Sequence, residues 1–247
     1  MQKIYGINRD TLKHSLSRTL FPQRCPICGE VVEDDLICRP CRRVLVPVAE
    51  PKCRICGRHL SNGSEDLCDS CRTTVHFFNR VFSLFPYNDV IKKSIADFKY
   101  HGKCEYARFY AAELYDKFYK ELVKISPDVI IPVPIHIDRL SSRGYNQASL
   151  ITSELSKLTG IPEVTDLLLR TGKTIAQKEL GPDERRKNLK SAFSINKNSD
   201  WFSKYIKTAV LVDDIYTTGS TLDACSNVLK RFGIKYVYAI CVASVES

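Results

Sequence analysis

The spacing of the cysteines points directly to metal binding. The 247-residue chain has eleven cysteines, and eight of them form four Cys-x-x-Cys pairs: Cys25/Cys28, Cys38/Cys41, Cys53/Cys56 and Cys68/Cys71. A two-residue gap lets both sulfurs of a tight turn face one ion, and four thiolates complete a closed tetrahedral zinc site. The pattern therefore predicts two structural zinc ions, with no open position for a catalytic water.

Two groupings of these pairs are open. Sequential grouping places Cys25 to Cys41 around one ion and Cys53 to Cys71 around the other, and the similar layout of the two halves favours it. A cross-braced arrangement is the alternative. The pairs lack the clustered run of ferredoxins, which disfavours an iron–sulfur cluster. Three further cysteines lie in or beside predicted helices and strands, where we expect buried apolar residues: Cys104, Cys225 and Cys241.

The stretch from Ala209 to Thr221, AVLVDDIYTTGST, carries the second chemical signal. It indicates an apolar strand, two adjacent aspartates at its carboxyl end, and a loop that opens a helix. Backbone N–H groups and hydroxyls of such a loop can wrap a phosphate, and the helix N-terminus adds partial positive charge. Asp213 and Asp214 would repel that phosphate, so we expect them to bind sugar hydroxyls or to help place magnesium. The loop residues are Thr217, Thr218, Gly219, Ser220 and Thr221.

A basic segment follows a second apolar strand. Residues 129–146 read VIIPVPIHIDRLSSRGYN, with Arg139 and Arg143 on the carboxyl side of the strand. The planar fork of arginine suits the oxygens of a diphosphate. A solvated basic loop is the alternative interpretation. His136, beside the strand end, is expected to be structural.

Apolar strands alternate with helices around these motifs. Strands are predicted at 81–87, 128–133, 208–212 and 235–242, and helices at 10–21, 89–98, 105–124, 147–158 and 220–232. Asn88 or Asp89 can cap the helix at 89–98, and Gly160 and Gly233 can end the helices at 147–158 and 220–232. Continuous apolar strands of this kind indicate a parallel sheet covered on both faces, which binds ligands at its carboxyl edge. We therefore predict an α/β fold with a Rossmann-like parallel sheet, preceded by a small zinc-ribbon module. The boundary is expected near residue 75, which gives domains 1–75 and 76–247.

Residues 209–221 resemble the signature of the type I phosphoribosyltransferase family, which binds phosphoribosyl pyrophosphate (PRPP). The resemblance implies that Asp213 and Asp214 hold the ribose hydroxyls and that the loop from Thr217 to Thr221 holds the 5-phosphate. It also implies magnesium, bound together with PRPP.

Nearly the whole chain resembles the ComF-type competence protein family. A strand that ends in PVP leads to Arg139 and then to the RGYNQ run of residues 143–147, in which Tyr145 stands where Phe is usual. Two more family patterns are present. One comprises Lys99, Tyr100 and Gly102, and the other Thr174, Gln177, Leu180, Arg185 and Asn188.

This resemblance implies a type I phosphoribosyltransferase fold behind a double zinc ribbon. It also implies a role in the uptake of transforming DNA, with single-stranded DNA and a helicase-like protein as partners. Enzymes with this fold close a mobile loop over PRPP, and residues 171–190 are placed to form it. Departing pyrophosphate would meet basic side chains of this loop and of the Lys-Tyr-x-Gly turn: Lys99, Lys173, Lys178 and Arg185.

Two functions are compatible with these features. One is an enzyme that transfers phosphoribosyl to a nitrogen nucleophile and releases pyrophosphate, with Asp213, Asp214, Arg139 and Arg143 in the active site. The other is a non-catalytic module that binds PRPP or single-stranded DNA. The formal charge of +9 is a mild indication of nucleic acid or phosphorylated ligands. We expect a cytoplasmic protein, because the first 21 residues lack the apolar core of a signal peptide.

Overall fold

A computed structural model describes residues 23–33, 35–61, 63, 65–172 and 192–245. The structure divides into two compact units, one that ends at Leu45 and one that begins at Val46. The predicted helix 10–21 and most of the predicted loop 171–190 lie outside the described residues. The compact division falls between the two halves of the cysteine module. The boundary expected near residue 75 separates sequence motifs and stays a prediction.

The first unit contains the first two cysteine pairs. A tight turn follows Cys25, whose N–H donates to the carbonyl of Glu30 at 2.8 Å and whose carbonyl accepts from Gly29 at 2.9 Å. Gly29 has a φ of +81°, a backbone conformation that suits glycine. Helix α1 (Arg39–Val44) begins directly after the third cysteine of the unit and carries the fourth, Cys41.

The second unit contains six helices and six strands within its described residues. The remaining helices are α2 (Asp69–Thr73), α3 (Asp89–Tyr100), α4 (Tyr106–Ile125), α5 (Ile137–Arg143), α6 (Gln147–Thr159) and α7 (Ser220–Phe232). The strands are β1 (Arg80–Pro86), β2 (Val129–Pro132), β3 (Leu168–Arg170), β4 (Phe193–Ile195), β5 (Thr208–Tyr216) and β6 (Tyr236–Ser244).

Four of these strands form a parallel sheet in the order β1-β6-β5-β2, and β3 and β4 form an antiparallel pair. The register aligns Val81, Ala239, Leu211 and Ile131 across the sheet. These residues belong to one buried cluster that also contains apolar residues of α7 and of the antiparallel pair β3–β4. Because side chains alternate between the two faces of a strand, the neighbouring residues point to the opposite face.

Helices cover both faces, as the apolar strands predict. On the face opposite Val81, the ring centre of Phe82 lies 5.5 Å from that of Phe118 of α4. Helix α4 packs against α6, which in turn packs against β2 and β5, whereas α7 packs against β6 and β4. The sequence signals for helix ends are confirmed at α3 and α6. Asn88 accepts a hydrogen bond from Ile91 N at 3.0 Å, and α6 ends at Gly160 with a φ of +72°.

The structure differs from the sequence predictions in several places, and the short elements α1, α2, β3 and β4 were not predicted. Strand β5 continues through both aspartates to Tyr216, because its partner β6 is equally long and keeps the ladder paired. Residues 137–143, for which no helix is predicted, form helix α5, which begins after His136, and His136 accepts from Asp138 N at 3.2 Å. Cys104 is exposed, since it lies in the turn before α4, whereas Cys225 and Cys241 are buried as expected.

The segment that carries Cys53, Cys56, Cys68 and Cys71 packs into the apolar core beside the sheet. Its four cysteines belong to the same buried cluster as Val81 and Leu211. Val81 N donates to the carbonyl of Ile55 at 2.7 Å, so the cysteine turn continues the hydrogen bonding of β1. Gly57 lies at this contact with a φ of +71°. A Cβ atom on Gly57 would lie 2.6 Å from the carbonyl oxygen of Val81, so the contact requires glycine.

No helix within the described ranges is both long and apolar enough to cross a membrane.

Gly57→Ala is expected to destabilise the second unit strongly. Gly160→Ala is the matched control, because Gly160 has nearly the same φ (+72°) and a Cβ there would meet nothing within 4 Å. A left-handed alanine costs about 1 kcal/mol, and the collision with Val81 should add roughly 2 kcal/mol to the loss for Gly57→Ala. Urea unfolding followed through the single tryptophan, Trp201, measures both losses. Equal losses would contradict the close contact between the cysteine turn and β1.

Candidate functional site

The eight paired cysteines form two separate groups of four. Within each group, one from Cys25 to Cys41 and one from Cys53 to Cys71, all four sulfur atoms lie within 4.8 Å of one another. The sequential grouping is therefore confirmed, and the cross-braced alternative is excluded. The sulfurs of Cys28 and Cys38 are 3.7 Å apart, as are those of Cys56 and Cys68. Thiolates that share a tetrahedral zinc at about 2.3 Å lie roughly 3.8 Å apart, so both groups fit zinc.

The two groups differ in their exposure. In the first group Cys28 is exposed and Cys38 is half-buried, whereas all four cysteines of the second group are buried. Burial raises the pKa of the Cys25 thiol, but the backbone N–H groups of Cys28 and Cys38 outweigh it and bring that pKa to about 7. Hydrogen bonds from the backbone therefore favour the thiolate, the form that binds zinc.

The carboxylate pair lies at the carboxyl edge of the sheet. Asp213 and Asp214 are both partly buried at the end of β5, and Asp214 N donates to Asp213 Oδ1 at 2.9 Å. Lys99, in the last turn of α3, places its Nζ 2.8 Å from Asp214 Oδ2. The structure thus brings together Lys99 and the aspartates, which the sequence placed in separate motifs.

The protonation of Asp213 depends on its surroundings. Burial and then the charge of Asp214 raise the pKa of Asp213 to about 7, although Lys99 and Arg170 act in the opposite direction. Arg170, at the end of β3, is the site residue that the sequence analysis missed. Burial, and then the charge of Arg139, lower the pKa of Arg170. Its signal in the sequence was a basic residue directly after the apolar run from Leu167 to Leu169.

The segment between β5 and α7 contains the residues that the sequence predicts to bind phosphate. Thr217 and Thr218 are exposed, and Gly219 has a φ of +79° immediately before the first residue of α7. A Cβ atom on Gly219 would lie 2.7 Å from the hydroxyl oxygen of Tyr216, so this position requires glycine. The hydroxyl oxygens of Thr218 and Ser220 are 2.8 Å apart. We call residues 217–221 the phosphate loop.

The RGYNQ run connects α5 to α6 and joins two parts of the edge. Gly144 ends α5 with a φ of +80°. Tyr145 donates from its hydroxyl to the carbonyl of Phe98, in α3. Asn146 donates from Nδ2 to the carbonyl of Val133 at 3.0 Å and accepts from Ala148 N at 3.1 Å, which begins α6. The run therefore holds the carboxyl end of β2 beside the last turn of α3.

The two predicted diphosphate arginines have different positions. Arg143 is half-buried, donates to Gln147 Oε1 and to the hydroxyl of Tyr100, both at 3.1 Å, and lies 4.8 Å above the Tyr100 ring. Arg139 is exposed on α5, close enough to Arg170 for their charges to interact. The remaining family residues lie outside the described residues: Lys173, Thr174, Gln177, Lys178, Leu180, Arg185 and Asn188.

Asp213→Asn is expected to stabilise the ligand-free protein increasingly as the pH rises. The folded Asp213 keeps its proton up to about pH 7, whereas the unfolded side chain, with a pKa of 3.8, loses it earlier. The free energy of unfolding of the wild type therefore decreases as the pH rises from 3.8 to about 7. Asparagine does not titrate, so the variant lacks this decrease. Chemical unfolding at pH 5 and pH 8 should show that the advantage of the variant grows by about 2 kcal/mol.

Asp116→Asn, at an exposed position of α4, is the control and should parallel the wild type. An equal difference between Asp213→Asn and the wild type at both pH values would contradict the raised pKa.

Comparisons with known proteins agree with this arrangement. Residues 16–72 match the model of the double zinc ribbon domain. The purine phosphoribosyltransferase from Pyrococcus horikoshii is 22% identical to this chain, covering 55% of this chain and 73% of its own, with a TM-score of 0.34. Since that score is low, the α/β class rests on the parallel sheet and its covering helices, and the predicted class is confirmed.

Two relatives resemble the chain over most of its length. Competence protein ComFC of Bacillus subtilis is 27% identical over 209 residues, which span 81% of this chain and 80% of that protein. Competence protein F of Haemophilus influenzae is 31% identical over 223 residues, which span 88% of this chain and 95% of that protein. The chain therefore belongs to the ComF family of competence proteins, with a double zinc ribbon and an α/β domain.

Proposed function

We propose that the chain binds magnesium–PRPP at the carboxyl edge of the sheet and transfers its phosphoribosyl group, releasing pyrophosphate. One observation carries the proposal. Strand β5 carries a partly buried carboxylate pair in its last four residues, and the phosphate loop follows directly after Tyr216 and opens α7. PRPP joins a phosphate to a sugar with two free hydroxyls. The loop and the helix N-terminus suit the phosphate, and the neighbouring carboxylates suit the hydroxyls.

The phosphate loop would hold the 5-phosphate. Its N-terminal position on α7 supplies partial positive charge, and the hydroxyls of Thr218 and Ser220 already point toward each other at 2.8 Å. Gly219 brings the backbone close to the ligand because it has no side chain. Substitution of Gly219 would also displace Tyr216.

The carboxylate pair would accept hydrogen bonds from the two ribose hydroxyls. In the ligand-free chain Lys99 balances the charge of Asp214 at 2.8 Å. Magnesium, which prefers oxygen ligands, would be held mainly by the pyrophosphate oxygens with help from this edge, and would supply positive charge to the leaving group. The raised pKa of Asp213 favours a ligand that donates hydrogen bonds to it and brings positive charge.

The transfer requires no covalent intermediate. The bond between the anomeric carbon and the pyrophosphate oxygen breaks, and pyrophosphate leaves with the bonding electrons. A nitrogen lone pair forms the new bond from the opposite face, and the nitrogen then loses its proton to solvent. Catalysis would rest on fixed geometry and on stabilisation of the departing anion, for which Lys99, Arg143 and Arg139 are the candidate cations on the described edge.

A second candidate function is non-catalytic binding of single-stranded DNA, together with a helicase-like partner in DNA uptake. Family membership and one surface support it. The ring of Tyr100 is 65% exposed beside Arg143, whose guanidinium carbon lies 4.8 Å from the ring centre. An exposed aromatic ring beside arginine suits stacking with bases. We place both functions in the cytoplasm, since eight zinc-binding thiols suit a reducing compartment.

Calorimetric titration of the zinc-loaded protein with magnesium–PRPP tests the ligand site. We expect saturable binding by the wild type and by the control Asp116→Asn, whose site is exposed on α4. Asp213→Asn/Asp214→Asn should weaken binding by at least about tenfold, because hydrogen bonds to charged groups contribute roughly 1.5–3 kcal/mol each.

The outcomes separate the two functions. Pyrophosphate release in the presence of one of a panel of nucleobases would establish the transferase. PRPP binding without release, accompanied by salt-sensitive binding of oligothymidine, would favour the non-catalytic module. A folded wild type that does not bind PRPP would refute the proposed ligand.

A further inference from the structure

The two residues that flank the phosphate loop are both connected to the second cysteine group, Cys53 to Cys71, by one further side chain. Tyr216 is the last residue of β5, before the loop, and Asp223 lies in the first turn of α7, after it. Each is linked to a sulfur of this group through a single intervening side chain. These contacts lie entirely within the unit that begins at Val46.

The link after the loop runs through His76. His76 Nδ1 lies 2.7 Å from Asp223 Oδ2, and its Nε2 lies 3.6 Å from the sulfur of Cys71. The His76 side chain is 2% exposed, so it has little freedom to leave this position. The second carboxylate oxygen of Asp223 accepts from Phe77 N at 2.8 Å. Both oxygens of Asp223 are therefore bound by the segment that follows the last cysteine.

The link before the loop runs through Arg58. Its Nε lies 3.4 Å from the sulfur of Cys56, and Nη2 lies 3.7 Å from that of Cys68. The guanidinium carbon lies 5.5 Å from the ring centre of Tyr216, whose hydroxyl approaches Gly219. Arg58 is 6% exposed, and a buried cation requires negative partners. Four thiolates around a divalent ion supply that negative charge.

Three neighbouring rings connect the link through His76 with the link through Arg58 and Tyr216. The ring centres of His76 and Phe78 are 4.5 Å apart in a stacked arrangement, and the ring of Phe78 meets that of Tyr216 edge-on at 6.4 Å. Movement of His76 would therefore disturb Tyr216 as well as Asp223. The two ends of the loop are held by one connected set of side chains.

We infer that the second zinc ribbon positions the phosphate loop, with His76 and Arg58 as positioning residues that transmit the geometry of the zinc site to bound PRPP. The inference rests on the proposed function. An intact tetrathiolate site fixes His76 and Arg58, which fix Asp223 and Tyr216, and the loop between them keeps its binding shape. By thermodynamic reciprocity, bound PRPP must then strengthen zinc retention at this site.

The reciprocal effect is measured on the wild-type protein alone. Zinc transfer to a coloured chelator is followed with and without saturating magnesium–PRPP, with magnesium pyrophosphate as the control for chelation by phosphates. We expect two phases, since only the second group is fully buried. PRPP should slow the slower phase by at least about fivefold, which is the lower end of typical coupling between sites, and leave the faster phase unchanged.

Variants test the named link. His76→Ala should retain two zinc ions and weaken PRPP binding by about tenfold, the loss expected for a buried hydrogen bond to a charged group. Asp223→Asn touches no cysteine and should weaken binding in the same direction. The double variant should bind PRPP only slightly more weakly than either single variant, because both substitutions remove the same interaction between His76 and Asp223. His59→Ala is the control, since His59 belongs to the same ribbon but contacts the carbonyl of Ala49.

The failure of this inference is distinguishable from that of the proposed function. A wild type that does not bind PRPP refutes the proposed function. PRPP binding that is unaffected in both His76→Ala and Asp223→Asn, with unchanged zinc release, overturns the positioning role alone. If His76→Ala loses zinc during purification, Asp223→Asn and the wild-type release rates decide the question.

Discussion

Asp213 and Asp214 lie side by side where a buried strand reaches the edge of a parallel sheet, and Lys99 Nζ lies 2.8 Å from Asp214 Oδ2. Two neighbouring carboxylates at this edge of the sheet require particular features of the surrounding structure. The sheet must be covered on both faces for β5 to be buried, and α3 must end beside β5 for Lys99 to reach it. Burial then raises the pKa of Asp213 to about 7, which prepares the edge for a ligand that donates hydrogen bonds.

The RGYNQ run and the second cysteine group support this edge of the sheet at different places. Tyr145 and Asn146 connect the last turn of α3 to the end of β2. On the other face of the sheet, buried cysteines share a core with Val81 and Leu211. The second ribbon thus has two roles within its unit, because it completes the apolar core and contacts the residues that flank the phosphate loop.

The sequence was sufficient for the features that depend on local chemistry. Apolar runs marked β1, β2, β5 and β6, the cap at Asn88 marked α3, and the glycines after α6 and α7 marked their ends. The spacing of the cysteines identified both zinc sites. Helix α5 was missed because all of its residues are exposed or half-buried, so it has no apolar face to detect.

Features that depend on distant contacts could not be predicted. His76 and Asp223 are 147 residues apart in sequence, and neither belongs to a motif that names the other. Arg58 is an ordinary charged residue in the sequence, and only the fold shows that it is buried against two sulfurs. Arg170 lies close enough to Asp213 to lower its pKa because of the antiparallel pair β3–β4, whose short strands carry little periodic signal.

The most direct test of the account is a crystal structure of the zinc-loaded protein with magnesium–PRPP. The account predicts the 5-phosphate against the backbone of Thr217 to Thr221 and the ribose hydroxyls on Asp213 and Asp214, with Asp223 still bound to His76. Density for PRPP at any other place, or an empty carboxyl edge at saturating ligand, would contradict it.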